Sequence, residues 1–265
     1  MEDKLRGQFF TGNYKGVIDS NAASKGVYPA LLHYSSLIEI GQQTALSSAP
    51  SSLPLANLQL LNSHVNQGQL IASSIQPDQY NFHEFLKSIS LINEGDFSQA
   101  IETTPQTSPE KAALVACAML KLKHPEIAEN TLKNALSKSE EDASLQFMMA
   151  ITQILKGEYE EASSNISELS QKFGDSPLLL NASAICALEE GNYQEAEQDL
   201  NKALSLANEM GGKNMDISLK NMIACKRQAG EDFSIYEQQL AKINPNDSYF
   251  TTLQNASQLL DQLIS

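Results

Sequence analysis

The residues able to do chemistry in this chain are few, and their spacing completes no reaction centre. Four histidines stand apart at His33, His64, His83 and His124. His83-Glu84 has no second histidine four places after the first, so the pair of imidazoles that a helix face would offer to zinc is missing. Cys117, Cys186 and Cys225 are odd in number and widely separated. Each lies in apolar helical context, where a free thiol behaves as a small core residue, and the expected compartment is reducing and cytosolic. No Cys-x-x-Cys, Gly-x-x-x-x-Gly-Lys-Ser/Thr or Gly-x-Ser-x-Gly occurs. Gly211-Gly212-Lys213 imitates part of a phosphate loop, but no strand pattern precedes it and its spacing is wrong, so it reads as a turn between helices. Glu140-Glu141-Asp142 and Glu160-Glu161 fall at helix starts, where negative charge complements the dipole. No catalytic, metal-binding or cofactor-binding residue is assigned. The expectation is a protein that is no enzyme, carries no cofactor and takes no small-molecule substrate.

The elements that position side chains follow from a repeated phrase. Gly12-Asn13-Tyr14, Gly41-Gln42-Gln43, Gly95-Asp96-Phe97, Gly157-Glu158-Tyr159 and Gly191-Asn192-Tyr193 share a leading Gly, and four of them carry an aromatic two places on. From Gly95 the phrase is completed by Ala100, Ala162 and Ala196. A degraded copy has Lys123 in the Gly place, Pro125 in the aromatic place and Ala128 kept. Along this run the copies are 28, 34 and 34 residues apart, a period that marks a repeat array. Each Gly supplies the positive φ that ends one helix, the aromatic plugs the cleft beyond it, and the Ala lets a second, antiparallel helix cross closely.

The clearest pairs run from about Glu141 to Lys156 with Tyr159 to Phe173, and from Leu178 to Glu190 with Tyr193 to about Asn208. Their second helices present Ala162, Ile166 and Leu169, and Ala196, Leu200, Ala203 and Leu204. Ser108-Pro109 and Ser176-Pro177 read as N-cap and first turn. Shorter pairs are expected over 5–24 and 28–46, and a weaker one around Gly230. The Ser47-to-Ser52 stretch is an exposed loop, after which Leu53 to Ile75 resumes a helical pattern. The fold expected is all-α, an α-solenoid of helix pairs coiled as a curved superhelix. It forms one domain over 1–265, with 246–265 as a C-terminal capping helix bearing Tyr249, Phe250, Leu253, Leu260 and Leu263.

Hydrophobic content of 42% suffices for a core, while 18 basic against 32 acidic residues give a net charge of −14. Such a surface repels nucleic acid and anionic lipid, so neither is an expected direct partner. No apolar run is long enough to span a bilayer, and Met1-Glu2-Asp3-Lys4 opens no secretory signal.

The phrase Gly-x-Tyr/Phe-x-x-Ala, with a further Ala seven residues on at Ala135 and Ala203, resembles the tetratricopeptide repeat. That resemblance implies that the first helix of each pair lines the concave side. Positions thirteen, ten, six and three before each Gly pick one stripe of that helix. They are Phe82, Phe85, Ile89 and Ile92; Ser144, Phe147, Ile151 and Ile154; and Leu178, Asn181, Ile185 and Leu188. Chaperone-binding members fill such places with Lys and Asn to clamp a terminal carboxylate, but no Lys occurs here. The stripe is therefore the candidate grip for an apolar partner segment, or else core between repeats. Asn181 satisfies either a partner backbone group or a neighbouring helix.

Over its full length the chain resembles the epsilon-subunit family of the coatomer, the COPI vesicle coat. The resemblance rests on Phe9-Phe10-Thr11-Gly12-Asn13-Tyr14, Ser47-Ser48-Ala49-Pro50, Leu178-Leu179-Leu180-Asn181-Ala182 and Gly191-Asn192-Tyr193-Gln194-Glu195-Ala196-Glu197. The order of elements agrees as well, although Tyr193 stands where Trp is common in that family. It implies a structural coat subunit, cytoplasmic and peripheral on the Golgi and on vesicles. Its partner would be the C-terminal region of the alpha coatomer subunit, in Golgi-to-ER retrograde and intra-Golgi transport. A tetratricopeptide adaptor or co-chaperone holding another partner's peptide is the alternative.

Overall fold

The computed structural model describes residues 2–67, 74–77, 82–104 and 108–264. They form helices α1 (Glu2–Phe10), α2 (Tyr14–Asp19), α3 (Val27–Glu39), α4 (Leu55–Gln67), α5 (Phe82–Glu94), α6 (Phe97–Thr103), α7 (Pro109–Lys121) and α8 (Pro125–Leu136). The rest are α9 (Ala143–Lys156), α10 (Tyr159–Phe173), α11 (Pro177–Glu189), α12 (Tyr193–Glu209), α13 (Met215–Gln228), α14 (Ser234–Ile243) and α15 (Ser248–Ile264). No strand occurs among the described residues. The expected α-solenoid of tetratricopeptide-like helix pairs is what forms.

One turn device recurs through the array. The residue ending the helix is left-handed at Gly12, Gly41, Gly95, Gly157, Gly191 and Gly230, with φ between 73° and 82°. In each case the next amide reaches back to a carbonyl of the last helical turn, as in Asn13 N to Gln8 O (2.7 Å), Glu158 N to Gln153 O (2.9 Å) and Asn192 N to Ala187 O (2.7 Å). These bonds satisfy carbonyls that the helix end would leave open. Lys123 adopts φ 62° and makes the same closure, His124 N to Met119 O at 3.0 Å. The degraded copy is therefore intact in conformation and carries the steric cost of a Cβ in the left-handed region.

Beyond the turn, Ala100, Ala128, Ala162 and Ala196 are fully or almost fully buried at the helix crossings. Leu132, Ile166, Leu169 and Leu200 follow on the same faces, and full burial of each such side chain contributes about 1.5–3 kcal/mol. Helix starts are fixed by side chains: Asp142 accepts from the Ser144 and Leu145 amides at 3.0 and 3.2 Å, Ser176 from Leu179, and Asp96 from Gln99. The core is a chain of clusters, each shared by a pair and the first helix of the next: α7–α8–α9, α9–α10–α11 and α11–α12–α13. Gly211 and Gly212 form the α12–α13 turn, both left-handed.

Several expectations change. Gly41 is followed by a 3-10 turn (Gln43–Ser48) instead of a second α-helix, because the Ser-Ser-Ala-Pro that follows supplies breakers before a helix can propagate. The helix expected over Leu53 to Ile75 is observed over Leu55–Gln67, residues 68–73 lie outside the described residues, and Ile75 is buried in non-helical backbone. Tyr193 does not plug its cleft: it is 36% exposed, and Ala196, Leu200 and Cys225 seal the crossing. In α15, Tyr249 and Phe250 pack on Leu219, Ile223 and Leu240, whereas the side chains of 251–256, Leu253 among them, are exposed. The side chains of Leu260 and Leu263 lie outside the described residues.

The largest departure from simple stacking is at the N-terminus. Helix α1 lies across the starts of α7, α9 and α11: Arg6 pairs with Glu110 and with Asp142 (2.8 Å), and Gly7 lies against the Phe173 ring. The Ser176 hydroxyl donates to the Thr11 carbonyl, and Asn13 Nδ2 donates to Phe173 O at 2.9 Å. Farther on, Lys15 meets Glu209 at 2.7 Å and Lys213 meets Glu39 at 2.5 Å, while the Ile40 carbonyl lies against Gly211. The first three helices thus contact the far half of the array.

Lys123→Gly should raise stability by about 1 kcal/mol, measured by chemical denaturation, since it relieves the left-handed strain without removing a buried contact. Ala196→Trp should overpack the crossing and lower stability by roughly 1–3 kcal/mol. A thermal melt unchanged by the Trp would contradict the pairing of α11 with α12.

Candidate partner-binding face

The stripe divides into three kinds of surface. Leu188 and Asn181 are buried. Leu188 belongs to the α11–α12–α13 core. Asn181 donates from Nδ2 to Pro177 O (2.6 Å) and to Ser218 Oγ (2.7 Å), and its Oδ1 accepts from Asn221 Nδ2 (2.8 Å). Of the two roles open to Asn181, the structure shows the tie between neighbouring helices; its amide bridges α11 and α13. Ser144 is likewise buried and occupied, its hydroxyl donating to Asp142 Oδ1 at 2.5 Å. Phe147, Ile151 and Ile154 are half-buried against the α9–α10–α11 core, and Phe82 and Ile89 against the N-terminal core. Phe85, Ile92, Leu178 and Ile185 remain half-buried outside these clusters.

Two of these last four face the N-terminal helix. The Phe85 ring meets Phe10 edge-on at 6.1 Å and stacks with Phe82 at 6.3 Å. Leu178 lies against Gly12, where an added Cβ would come within 2.7 Å of Leu178 Cδ1. Helix α1 therefore supplies part of the inner face that the sequence assigns to the first helices of later pairs.

Between α1, α3, α5 and the start of α7 is a cleft of about 570 Å³. Phe9 and Phe10 line it from α1, Tyr28, Leu31, Leu32 and Ser35 from α3, Phe82 and Phe85 from α5, and Arg6, Glu110 and Lys111 add charge. Burial works against the Arg6 charge, but Glu110, with Tyr28 and Asp142, raises its pKa further. Lys111 is paired with Glu84. A second hollow of about 640 Å³ beside α1 is lined by residues 137–144, Lys172 and Phe173.

Ser35, Arg6 and Phe10 escaped the sequence reading. Phe9-Phe10 is visible only as part of a turn phrase, and Ser35 carries no motif; both become site residues because α1 folds across the array.

The groups considered for chemistry stay apart. His33 is pushed down by burial, so its ring is neutral at pH 7, and it packs edge-on to Tyr34 at 5.4 Å. The His64 side chain lies outside the described residues. Burial pushes the Cys186 thiol up to about 11, with Glu190 adding to the effect, and burial likewise raises Cys117 and Cys225. All three thiols are protonated and unreactive at neutral pH. Among the described residues no three His, Cys, Asp or Glu side chains are grouped to hold a metal. None of the described helices is long and apolar enough to cross a membrane.

The described helices define a helix-pair solenoid of the tetratricopeptide type. The coatomer epsilon subunit family matches residues 3–265, and the chain belongs to that family. It is similar to coatomer subunit epsilon-2 of rice (Oryza sativa subsp. japonica), 23% identical over 97% of this chain and 94% of that protein. Coatomer subunit epsilon of Dictyostelium discoideum is 24% identical over 96% and 94% of the two chains. Coatomer subunit epsilon-2 of Arabidopsis thaliana is 24% identical over 91% and 88%. Membership makes this chain a structural component of the COPI vesicle coat, a hetero-oligomeric assembly.

Gly7→Ala tests the seating of α1. In a free helix the change is favourable by up to about 1 kcal/mol. Here the added Cβ overlaps the buried Phe173 ring, so the thermal melt should fall and amide exchange in α1 and α2 should quicken. A melt that rises would place α1 away from α10.

Proposed function

We propose that this chain binds and stabilises the C-terminal region of the alpha coatomer subunit, gripping an extended segment of it along the inner face. In this role it serves Golgi-to-ER retrograde and intra-Golgi transport, working in the cytoplasm and reaching Golgi membrane and vesicles only through the coat. Its part is structural and non-enzymatic. One observation carries the reading: the inner face keeps Phe85, Ile92, Leu178 and Ile185 outside the clusters that hold the repeats together, in a chain of the coat family. Apolar area buried there contributes about 25 cal/mol per Å², which a polar solvated face would not. The charge of −14 agrees with attachment through protein contacts instead of lipid headgroups.

Purified full-length chain should form a stoichiometric complex with the C-terminal region of the alpha subunit. Ile92→Asp and Ile185→Asp should each weaken it tenfold or more, read by calorimetry, while the far-ultraviolet spectrum stays helical. Failure of the wild-type chain to form the complex would overturn the proposal. Loss of helicity in both variants would assign the stripe to the core.

A further inference from the structure

The cleft between α1, α3 and α5 has a chemistry more specific than a greasy groove. Its walls are rings: Phe9 and Phe10 meet edge-on at 5.3 Å, Phe10 meets Phe85 edge-on, and Phe82 stacks on Phe85. Two polar groups are buried in this ring-lined setting without a hydrogen-bond partner. Ser35 is 1% exposed and its Oγ is unpartnered, and the Nε–H of Arg6 is unpartnered although its Nη2 holds two carboxylates. Both residues line the cleft. A buried polar atom left open is uncommon in a folded chain, and its natural complement is a group that arrives with a ligand.

We propose that this cleft is the socket for a tyrosine side chain of the bound partner, the ring seated among Phe10, Phe82 and Phe85 and the hydroxyl meeting Ser35 or Arg6. The choice among apolar anchors follows from the two open groups. A serine hydroxyl takes either role, whereas Nε–H only donates. A phenol oxygen donates and accepts, so it answers either group. An indole N–H cannot answer Arg6, and phenylalanine or leucine would seal both polar atoms away from water unpaired. A ring also gains the edge-to-face geometry that the walls already display. At about 570 Å³ the cleft is within the range that encloses a compact ligand group. This inference rests on the partner-binding reading above for the source of the tyrosine, but the socket itself is testable without the partner.

The probe is N-acetyl-L-tyrosinamide titrated into the full chain and followed by amide and aromatic NMR shifts, beside the phenylalanine and leucine analogues. The tyrosine probe should move signals of Phe10, Ser35 and Phe85, and bind about fivefold more tightly than the phenylalanine probe, the factor of a single net hydrogen bond. Ser35→Ala or Arg6→Lys, whichever removes the group that meets the hydroxyl, should reduce that preference to near one, and Ser35→Ala, a small change in a buried site, should not alter the melt by more than a few degrees. Equal binding of all three probes, shifts scattered away from the cleft, or a tyrosine preference that survives both Ser35→Ala and Arg6→Lys would overturn the socket. If the complex with the alpha subunit still forms in that case, the socket alone is wrong. If tyrosine binds as described and the complex does not form, the partner assignment fails and the socket stands.

Discussion

Everything in this array depends on how closely two antiparallel helices can lie once the chain has reversed. The reversal needs a left-handed residue whose neighbour returns its amide to the helix just ended, and the approach needs a side chain no larger than a methyl group at the crossing. Where both are met, at Gly157 and Gly191 with Ala162 and Ala196, the larger residues one turn further reach the shared clusters. Lys123 shows which requirement bends. The backbone keeps its left-handed turn with a Cβ present, while Ala128 at the crossing is kept and fully buried. Strain in one exposed residue stays local, whereas a bulky side chain at a helix crossing forces shifts in the packed neighbours as well.

Because pairs share clusters with their neighbours, the inner face is never simply a binding surface. Leu188 and Asn181 are part of what joins α11 to α13, and Phe147, Ile151 and Ile154 are half committed to the α9–α11 core. The side chains left over are those that α1 approaches or that no cluster takes up. In the proposed role, the grip on a partner comes from the residual apolar area of helices whose first task is to stack.

The fold was legible in the sequence because its rules are local. Turn residue, proline at the first helical position, and alanine at a fixed distance each act within one repeat, and α9 to α12 were bounded to within a residue or two. The breaks in that legibility have physical causes. After Gly41 the same turn leads into a Ser- and Pro-rich stretch that cannot propagate a helix, so the local signal was correct and its usual sequel was absent. The candidate face was legible only as a stripe of apolar residues at helical spacing. Which of them are core depends on neighbours in space, and the return of α1 across residues 110–178 depends on Arg6, Gly7 and Gly12 meeting partners more than a hundred positions away. No period in the sequence encodes such a meeting.

The return of α1 has a consequence for the order of assembly. Helix pairs are formed from near neighbours in sequence and can be completed as the chain emerges during synthesis. Helix α1 emerges well before the residues that its end of the chain rests on, from Glu110 to Phe173 and Ser176, and Lys213 closes on Glu39 later still. A solenoid that would otherwise fold by short-range steps thus ends with a long-range one, and Arg6, Gly7 and Thr11 wait for the groups they meet until the far half of the array has been made.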